Sequence, residues 1–370
     1  MTFVFVGLGF MSFMAATTLA IDVGMFMTAR SQAQNSADAA ALAGAVALGF
    51  NSFTDRSPNG PAVQGALSAG RANEVMGEAV TVTPADVTFP TGPAGLNNRV
   101  AVTVRRTSTT DVPNPVPTLI GPLFGVPTVD ILASATAEAS PADAMTCVKP
   151  FIIPDRWVET QTAPWSEDDT FEMYNNRGVL LPNPDIYYPA TQRNYSGYNN
   201  EADRGRRLVI RAGSGNNIRP TFYFSLALGN VTGGSEYRWN IANCNTMIVR
   251  IGDIVLQEPG NMVGPTQSGA QALIDRDPNA YWDTARNTVV TSMNPSPRVF
   301  PIPLYDPIHY AEGKANGRFA DFKVANYIGF FLESLQGNEI HGRIIPIAGI
   351  ASRNGPALPG AFAVAIRLVE

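Results

Sequence analysis

From Met1 to Ile21 the chain carries no ionisable side chain; Asp22 is the first acidic residue and Arg30 the first basic one. About 20 apolar residues in a helix cross the hydrocarbon of a bilayer, so this run is long enough to span. The helical pattern continues past Arg30 into an alanine-rich stretch ending near Phe50, and no proline interrupts residues 1–50. The pattern therefore predicts one helix of about 70 Å, closed by the turn residues Pro58, Asn59, Gly60 and Pro61. A cleaved signal peptide is the competing reading. It lacks support, because there is no positively charged lead and no A-x-A site followed by a change of character.

Two rows of small side chains wind along this helix. Ser12, Ala16, Ala20, Gly24 and Thr28 recur at every fourth position, and Ala33, Ala37, Ala41 and Ala45 continue the habit. Such rows let helix backbones approach closely where the hydrophobic effect between helices is weak. Phe3, Phe10, Phe13, Met14, Phe26 and Met27 supply bulk suited to lipid or to neighbouring grooves. Alanine is also the best helix former. That plainer account covers the second row but not the glycine and threonine of the first, so the first row is the expected helix-packing face. Asp22 has no basic residue within one turn, and Arg30 lies eight positions on, about 12 Å along the helix. An unpaired carboxylate beside apolar surroundings is costly. The expected remedy is an intersubunit pair in which a staggered neighbour supplies Arg30 or a terminal amine at Met1.

After the turn, residues 61–77 have a short helical pattern. Val80, Val82 and Val87 lead into Val100-Ala101-Val102-Thr103-Val104, whose period of two marks a half-buried strand. A short helix is expected over 113–124 and another strand over 129–139, which makes 51–142 a small α+β module. From Cys147 the texture changes to many short strands separated by Gly, Pro and Asn, with helix expected only at 268–274 and 278–285. The expected class is α+β: a hydrophobic helix at 1–50, the module at 51–142 and a larger β-rich domain at 143–370.

Composition narrows the function. The 370 residues hold 26 Lys+Arg against 31 Asp+Glu, a formal charge of −5, and only 15% charged residues against 45% hydrophobic. No basic field is available to hold phosphate backbones, so nucleic acid is not an expected partner. With 2 His and 2 Cys, material for haem, zinc or a Cys/His pair is nearly absent. Zinc would need Cys147, Cys244, His309 and His341 together, without any compact ligand pair. Two cysteines in an exported chain favour a Cys147–Cys244 disulfide over separate buried thiols. Glu167, Asp168, Asp169 and Glu172 form the densest carboxylate group but follow no EF-hand spacing, and a solvated acidic turn is the better account. The Asn/Tyr-rich stretch 174–200, with Tyr187, Tyr188, Tyr195 and Tyr198, is a candidate exposed surface or an ordinary ordered loop. No nucleophile–base, nucleotide or metal motif assembles, so neither an enzyme nor a cofactor is expected.

Leu19-Ala20-Ile21-Asp22-Val23-Gly24, followed by Gln34-Asn35-Ser36-Ala37-Asp38 and the alanines up to Ala45, resembles the N-terminal segment of TadG-like proteins. These are the TadE/TadG pilin-like proteins associated with bacterial Tad (Flp) pilus systems, and the resemblance covers about the first 45 residues. Two departures stand out: the basic lead before the apolar run is missing, so Met1 reads as a processed or alternative start, and no Asp-x-Ser-x-Ser string of a metal-dependent adhesion domain occurs. The resemblance implies a structural, non-enzymatic subunit of a surface filament. Such a chain is exported through the inner membrane, held there before assembly, homo-oligomeric through its helix and associated with other pilus components, with outer domains available for adhesion. The alternatives are an anchored pilus-assembly or accessory protein and, less favoured, a tethered extracellular hydrolase or binding protein.

Overall fold

The computed structural model describes residues 2–92, 95–109, 113–162, 164–213, 217–229, 232–260, 262–316, 321–352 and 358–369. It has the expected α+β composition, a long N-terminal helix followed by a strand-rich remainder. The chain divides into two units, Met1–Ser140 with Ile366–Glu370, and Pro141–Ala365.

In the first unit, α1 (Thr2–Phe50) is one continuous helix of 49 residues, and its two halves differ in surroundings. Most of the side chains before Ala29 are exposed, whereas Ala29, Ala33, Ala37, Ala40, Ala41, Ala45 and Leu48 are buried in the core. The turn after residue 50 is therefore not a unit boundary, because the second half of α1 belongs to the same body as the module that follows. Its partner α2 (Pro61–Arg71) starts on a proline, whose missing N–H costs nothing at a first helical position. The sheet beneath has the order C-terminal strand Val364–Leu368, then β5 (Ile131–Pro141), β2 (Arg99–Arg106) and β1 (Val87–Thr88). Strands β2 and β5 are antiparallel with Val100, Val102 and Val104 opposite Ala137, Ala135 and Ala133. The period-two pattern places all six side chains in the core.

The helices meet through the smallest side chains available. A Cβ added at Gly44 would lie 2.8 Å from Val100 Cγ1 and 3.3 Å from both Ala62 O and Ala66 Cβ. At Gly65 it would lie 3.2 Å from Ala43 O, and at Gly70 3.4 Å from Ala40 Cβ. Ser36 Oγ donates to Gly70 O at 2.9 Å inside this seam. The row Ala33–Ala37–Ala41–Ala45, which alanine's helix propensity alone would explain, is thus buried packing surface. The row Ser12–Ala16–Ala20–Gly24–Thr28 is exposed within the chain.

The end of the chain returns to this unit. Glu138 is buried yet bonded to Arg99 at 2.9 Å and to Arg367 at 3.3 Å, with Ser140 Oγ also donating to it. Burial pushes the Glu138 carboxyl up, but the Ser140 and Arg99 hydrogen bonds and the charges of Arg367 and Arg99 outweigh it and hold the group below its ordinary value.

Residues 113–124 differ from the expected helix. The structure has a hairpin of β3 (Val116–Pro117) and β4 (Thr128–Val129) with a 3-10 turn at Gly121–Phe124. Prolines at 113, 115 and 117 remove the donors that a helix interior requires.

The second unit is built on a closed six-strand barrel. Its strands are β6 (Phe151–Pro154), β7 (Arg207–Ala212), β8 (Phe222–Ser225), β10 (Val299–Tyr305), β11 (Asp321–Gln336) and β12 (Glu339–Ile345), in the order β11-β10-β6-β8-β7-β12. Pairing of β11 with β12 closes the ring, and β9 (Ile254–Leu256) adds to β11 outside it. The β10–β6 and β8–β7 pairs are parallel and the others antiparallel. Phe151, Ile153, Leu208, Ile210, Phe300, Ile302, Leu304, Ile328, Phe330 and Ile340 share one core, and closure leaves few open strand edges. Gly342 is required where β12 crosses β11, since a Cβ there would overlap Phe331 O and the Phe330 ring. Helices occur at Gly234–Ala242, Val263–Arg276 and Pro307–Ala315, whereas the expected helix at 278–285 is instead the strand Tyr281–Asp283, paired with Thr288–Val290.

The tyrosine-rich stretch is an ordered loop that is partly exposed, with residues 175–180 and 191–194 at the surface, while Tyr187 and Tyr198 turn into the core. Asp155, fully buried, accepts from Tyr187 Oη at 2.9 Å and from Tyr195 Oη at 2.7 Å, and Asn326 donates to Tyr195 Oη at 2.8 Å. Burial lifts the Asp155 carboxyl to about 6 against the hydrogen bonds from Tyr195 and Tyr187.

The small-residue seam makes a direct prediction. Gly44→Leu should destabilise the first unit by about 3 kcal/mol through overpacking, seen as a lowered thermal transition. Gly24→Leu, where an added Cβ meets nothing within 4 Å, should leave that transition in place.

Candidate membrane and assembly segment

The first half of α1 is a helix without a core. Phe3 is 94% exposed, Phe13 70% and Met27 71%; Phe10, Met11 and Met14 are also exposed, and Phe26 is half-buried. The helix is long and apolar enough to cross a membrane. Its few polar side chains are satisfied locally. The hydroxyls of Ser12, Thr17, Thr18 and Thr28 donate to the carbonyls of Leu8, Phe13, Met14 and Gly24, at 2.8–2.9 Å. A segment whose hydroxyls and, beyond its first turn, backbone donors are engaged within itself is suited to hydrocarbon, where no water can serve as partner.

Asp22 departs from expectation. Its carboxylate is 4% exposed, and it accepts from the backbone N–H of Leu119 at 2.7 Å and of Ile120 at 3.0 Å. The partner expected from another chain is therefore supplied by this chain's own hairpin. Two amide donors stabilise a carboxylate as an opposite charge would, and without adding a second buried ion. Arg30 is exposed and enters no salt bridge among the described residues. Met1, the other expected partner, lies outside the described residues. Sequence reading missed Leu119 and Ile120 because backbone donors leave no mark in composition. The available signal was the absence of any ionisable side chain between Asp111 and Asp130.

The remaining polar residues along α1 also have structural tasks. Gln32 Oε1 accepts from Met76 N at 2.8 Å, and Gln34 Nε2 donates to Asp38 at 2.8 Å and to Ser134 O at 3.2 Å. Together with Ser36 in the helix seam, these contacts make residues 22–45 a set of attachments to the hairpin, to α2 and to the sheet. Residues 1–47 match the family model described as putative Flp pilus-assembly TadE/G-like. The TadE/G-like segment thus covers the exposed half of α1 and nearly all of its buried half. No curated protein and no solved structure matches the chain. The TadE/G-like match and the apolar helix together support a pilus-related role and a membrane-anchored or surface location.

The second unit holds the other sequence candidates. Cys147 and Cys244 form a disulfide across 97 positions, with Cα atoms 4.3 Å apart, so neither sulfur is available to a zinc site with His309 and His341. The bond joins the start of the unit to the end of the helix Gly234–Ala242. Lys149 caps that end, donating to Ile241 O at 2.5 Å and Asn243 O at 2.8 Å, where the helix dipole favours a cation. Burial and the nearby Arg276 charge lower the Lys149 ammonium to about 7. In the acidic turn, Asp169 accepts from Ser166 N at 2.5 Å and Thr162 Oγ1 at 3.3 Å. A cavity of about 540 Å³ opens beside Arg211, Ser225, Gln257 and Asn338, and among the described residues no carboxylate or imidazole lines it. The Ser225 hydroxyl there donates to Glu258 O at 3.2 Å.

Asp22→Ala should release the hairpin without unfolding the unit. Hydrogen bonds to a charged group contribute about 1.5–3 kcal/mol, so exchange of the Leu119 and Ile120 amides should accelerate at least about tenfold. Exchange in β2 should stay slow, and hydrogen–deuterium exchange with fragment resolution reads both.

Proposed function

We propose that the chain is a structural, non-enzymatic, pilin-like subunit of a Tad/Flp-type surface filament. Its helix lies in the membrane before assembly and packs with copies of itself afterwards. The observation that carries this reading is the exposed row Ser12–Ala16–Ala20–Gly24–Thr28 on a helix that, beginning five residues further on at Ala33, uses an equivalent row for close packing. The Gly44–Ala62–Ala66 contact shows the approach that such residues permit, and the first row presents the same kind of surface with no partner in its own chain. Self-association would cover it. The second unit, knitted by its disulfide and closed barrel, is the part displayed outside the cell, where adhesion or contact with other pilus components would occur. Ser225 held by a backbone carbonyl supports the non-enzymatic reading.

A second reading is favoured by Asp22. Because its carboxylate is satisfied internally, α1 needs no neighbour to place it at a membrane boundary, and an anchored accessory protein of the pilus system would use the same helix as a simple span.

Replacing Ala20 and Gly24 with leucine separates the two. The subunit reading expects filament assembly to be blocked while the outer units stay folded. Filaments of normal number and length containing the double variant would remove it. Normal filaments lacking this chain altogether would favour the anchored accessory.

A further inference from the structure

The hairpin that receives Asp22 is unusual on its own account. Its sequence from 112 to 129 carries no ionisable side chain, and its tip exposes large apolar groups: Leu123 by 83%, Phe124 by 73%, Leu119 by 58% and Val126 by 49%. The tip is not loose. Thr118 N donates to Pro127 O at 3.0 Å, Val126 N to Gly121 O at 2.8 Å and Thr118 Oγ1 to Val126 O at 2.7 Å. Gly121 allows the strands to close, since a Cβ there would overlap Val126 O and the Thr118 side chain, and Gly125 turns the chain at φ +77°. The amides of Leu119 and Ile120 are taken by Asp22.

We propose that this tip is a second, non-helical membrane contact that dips into the leaflet beside the helix. The proposal rests on the reading that the first half of α1 lies in lipid. The uncharged run of 21 residues before Asp22 is about 30 Å long as a helix, the thickness of a hydrocarbon core. Asp22 then sits at the boundary on the side of the folded units, and its bonds to Leu119 and Ile120 fix the tip at that same level. From there Leu119, Leu123, Phe124 and Val126 enter the region between headgroups and acyl chains. An interface with protein carries about one hydrogen bond per 100–200 Å², whereas this tip spends the amides of Thr118, Leu119, Ile120, Leu123, Gly125 and Val126 internally and exposes mainly apolar side chains. Lipid asks for nothing more, and a turn with most of its amides engaged within the chain enters the headgroup boundary at low cost. The arrangement gives the anchor two points of contact, so the first unit is held at a fixed height and tilt over the bilayer instead of swinging on one helix.

The test uses the full chain in phosphatidylcholine vesicles with an environment-sensitive fluorophore on a single introduced cysteine, the native pair being bonded to each other. Phe124→Cys reports the tip, Val126→Cys guards against an effect peculiar to position 124, and Phe10→Cys reports the helix. Probes at 124 and 126 should be quenched severalfold by a nitroxide placed shallowly on the lipid chains and protected from aqueous iodide. Quenching by iodide but not by lipid, with the probe at 10 still quenched by lipid, overturns the tip contact and leaves the helix reading standing. Protection from both quenchers overturns it too, pointing to contact with a second copy. Absence of lipid quenching at 10 defeats the helix reading and this proposal with it.

Discussion

The close approach of α1 to α2, backbone to backbone with little more than methyl groups between them, is the constraint on which the first unit depends. Gly44, Gly65 and Gly70 face Ala62, Ala66, Ala43 and Ala40 so closely that an added Cβ would come within 2.8 Å of Val100 at Gly44 and within 3.2–3.3 Å of its nearest neighbour at Gly65 and Gly70. Because the helices lie so close, the valines of β2 and the alanines of β5 form one core with them. Alanine is used here for its size, and helix propensity comes as an addition. The helix packed this tightly over its second half continues without a break into its first half.

That continuity explains why Asp22 stands where it does. It ends the uncharged run, yet it is buried against the hairpin, so one carboxylate both marks the limit of the apolar segment and ties β3–β4 to the helix. A charge at this position would be costly alone; two amide donors make it a structural joint. The second unit follows different rules. Its barrel closes through the β11–β12 pair, and Tyr187 and Tyr195 direct their hydroxyls to the buried Asp155.

Several features were legible in the sequence because they are local. An uninterrupted apolar pattern without proline gives a helix, and alternating valines give β2. An even count of two cysteines gives their disulfide. What was misread depends on distant residues. The carboxylate of Asp22 meets amides 97 and 98 positions away, and Asp155 meets hydroxyls 32 and 40 positions away; no pattern along the chain encodes either. The two small-residue rows look alike in sequence, and only the presence of α2 and the sheet against one of them separates core from exposed face. The hairpin at 113–129 was readable in principle, since its prolines argue against the helix expected there. The strands of the barrel were recognisable individually, but their order mixes parallel and antiparallel neighbours and is set by closure, which short strands do not announce.

The account's central claim is that α1 is two things in one helix: an exposed segment up to Thr28 and a core element from Ala29. Thermal unfolding of two shortened chains tests it most directly. A chain beginning at residue 29 should be soluble and monomeric and should keep the transition of the first unit, with only the hairpin loosened. A chain beginning at residue 51 should lose that transition while the barrel unit still melts cooperatively. Loss of the transition in the first chain, or its survival in the second, would contradict the account.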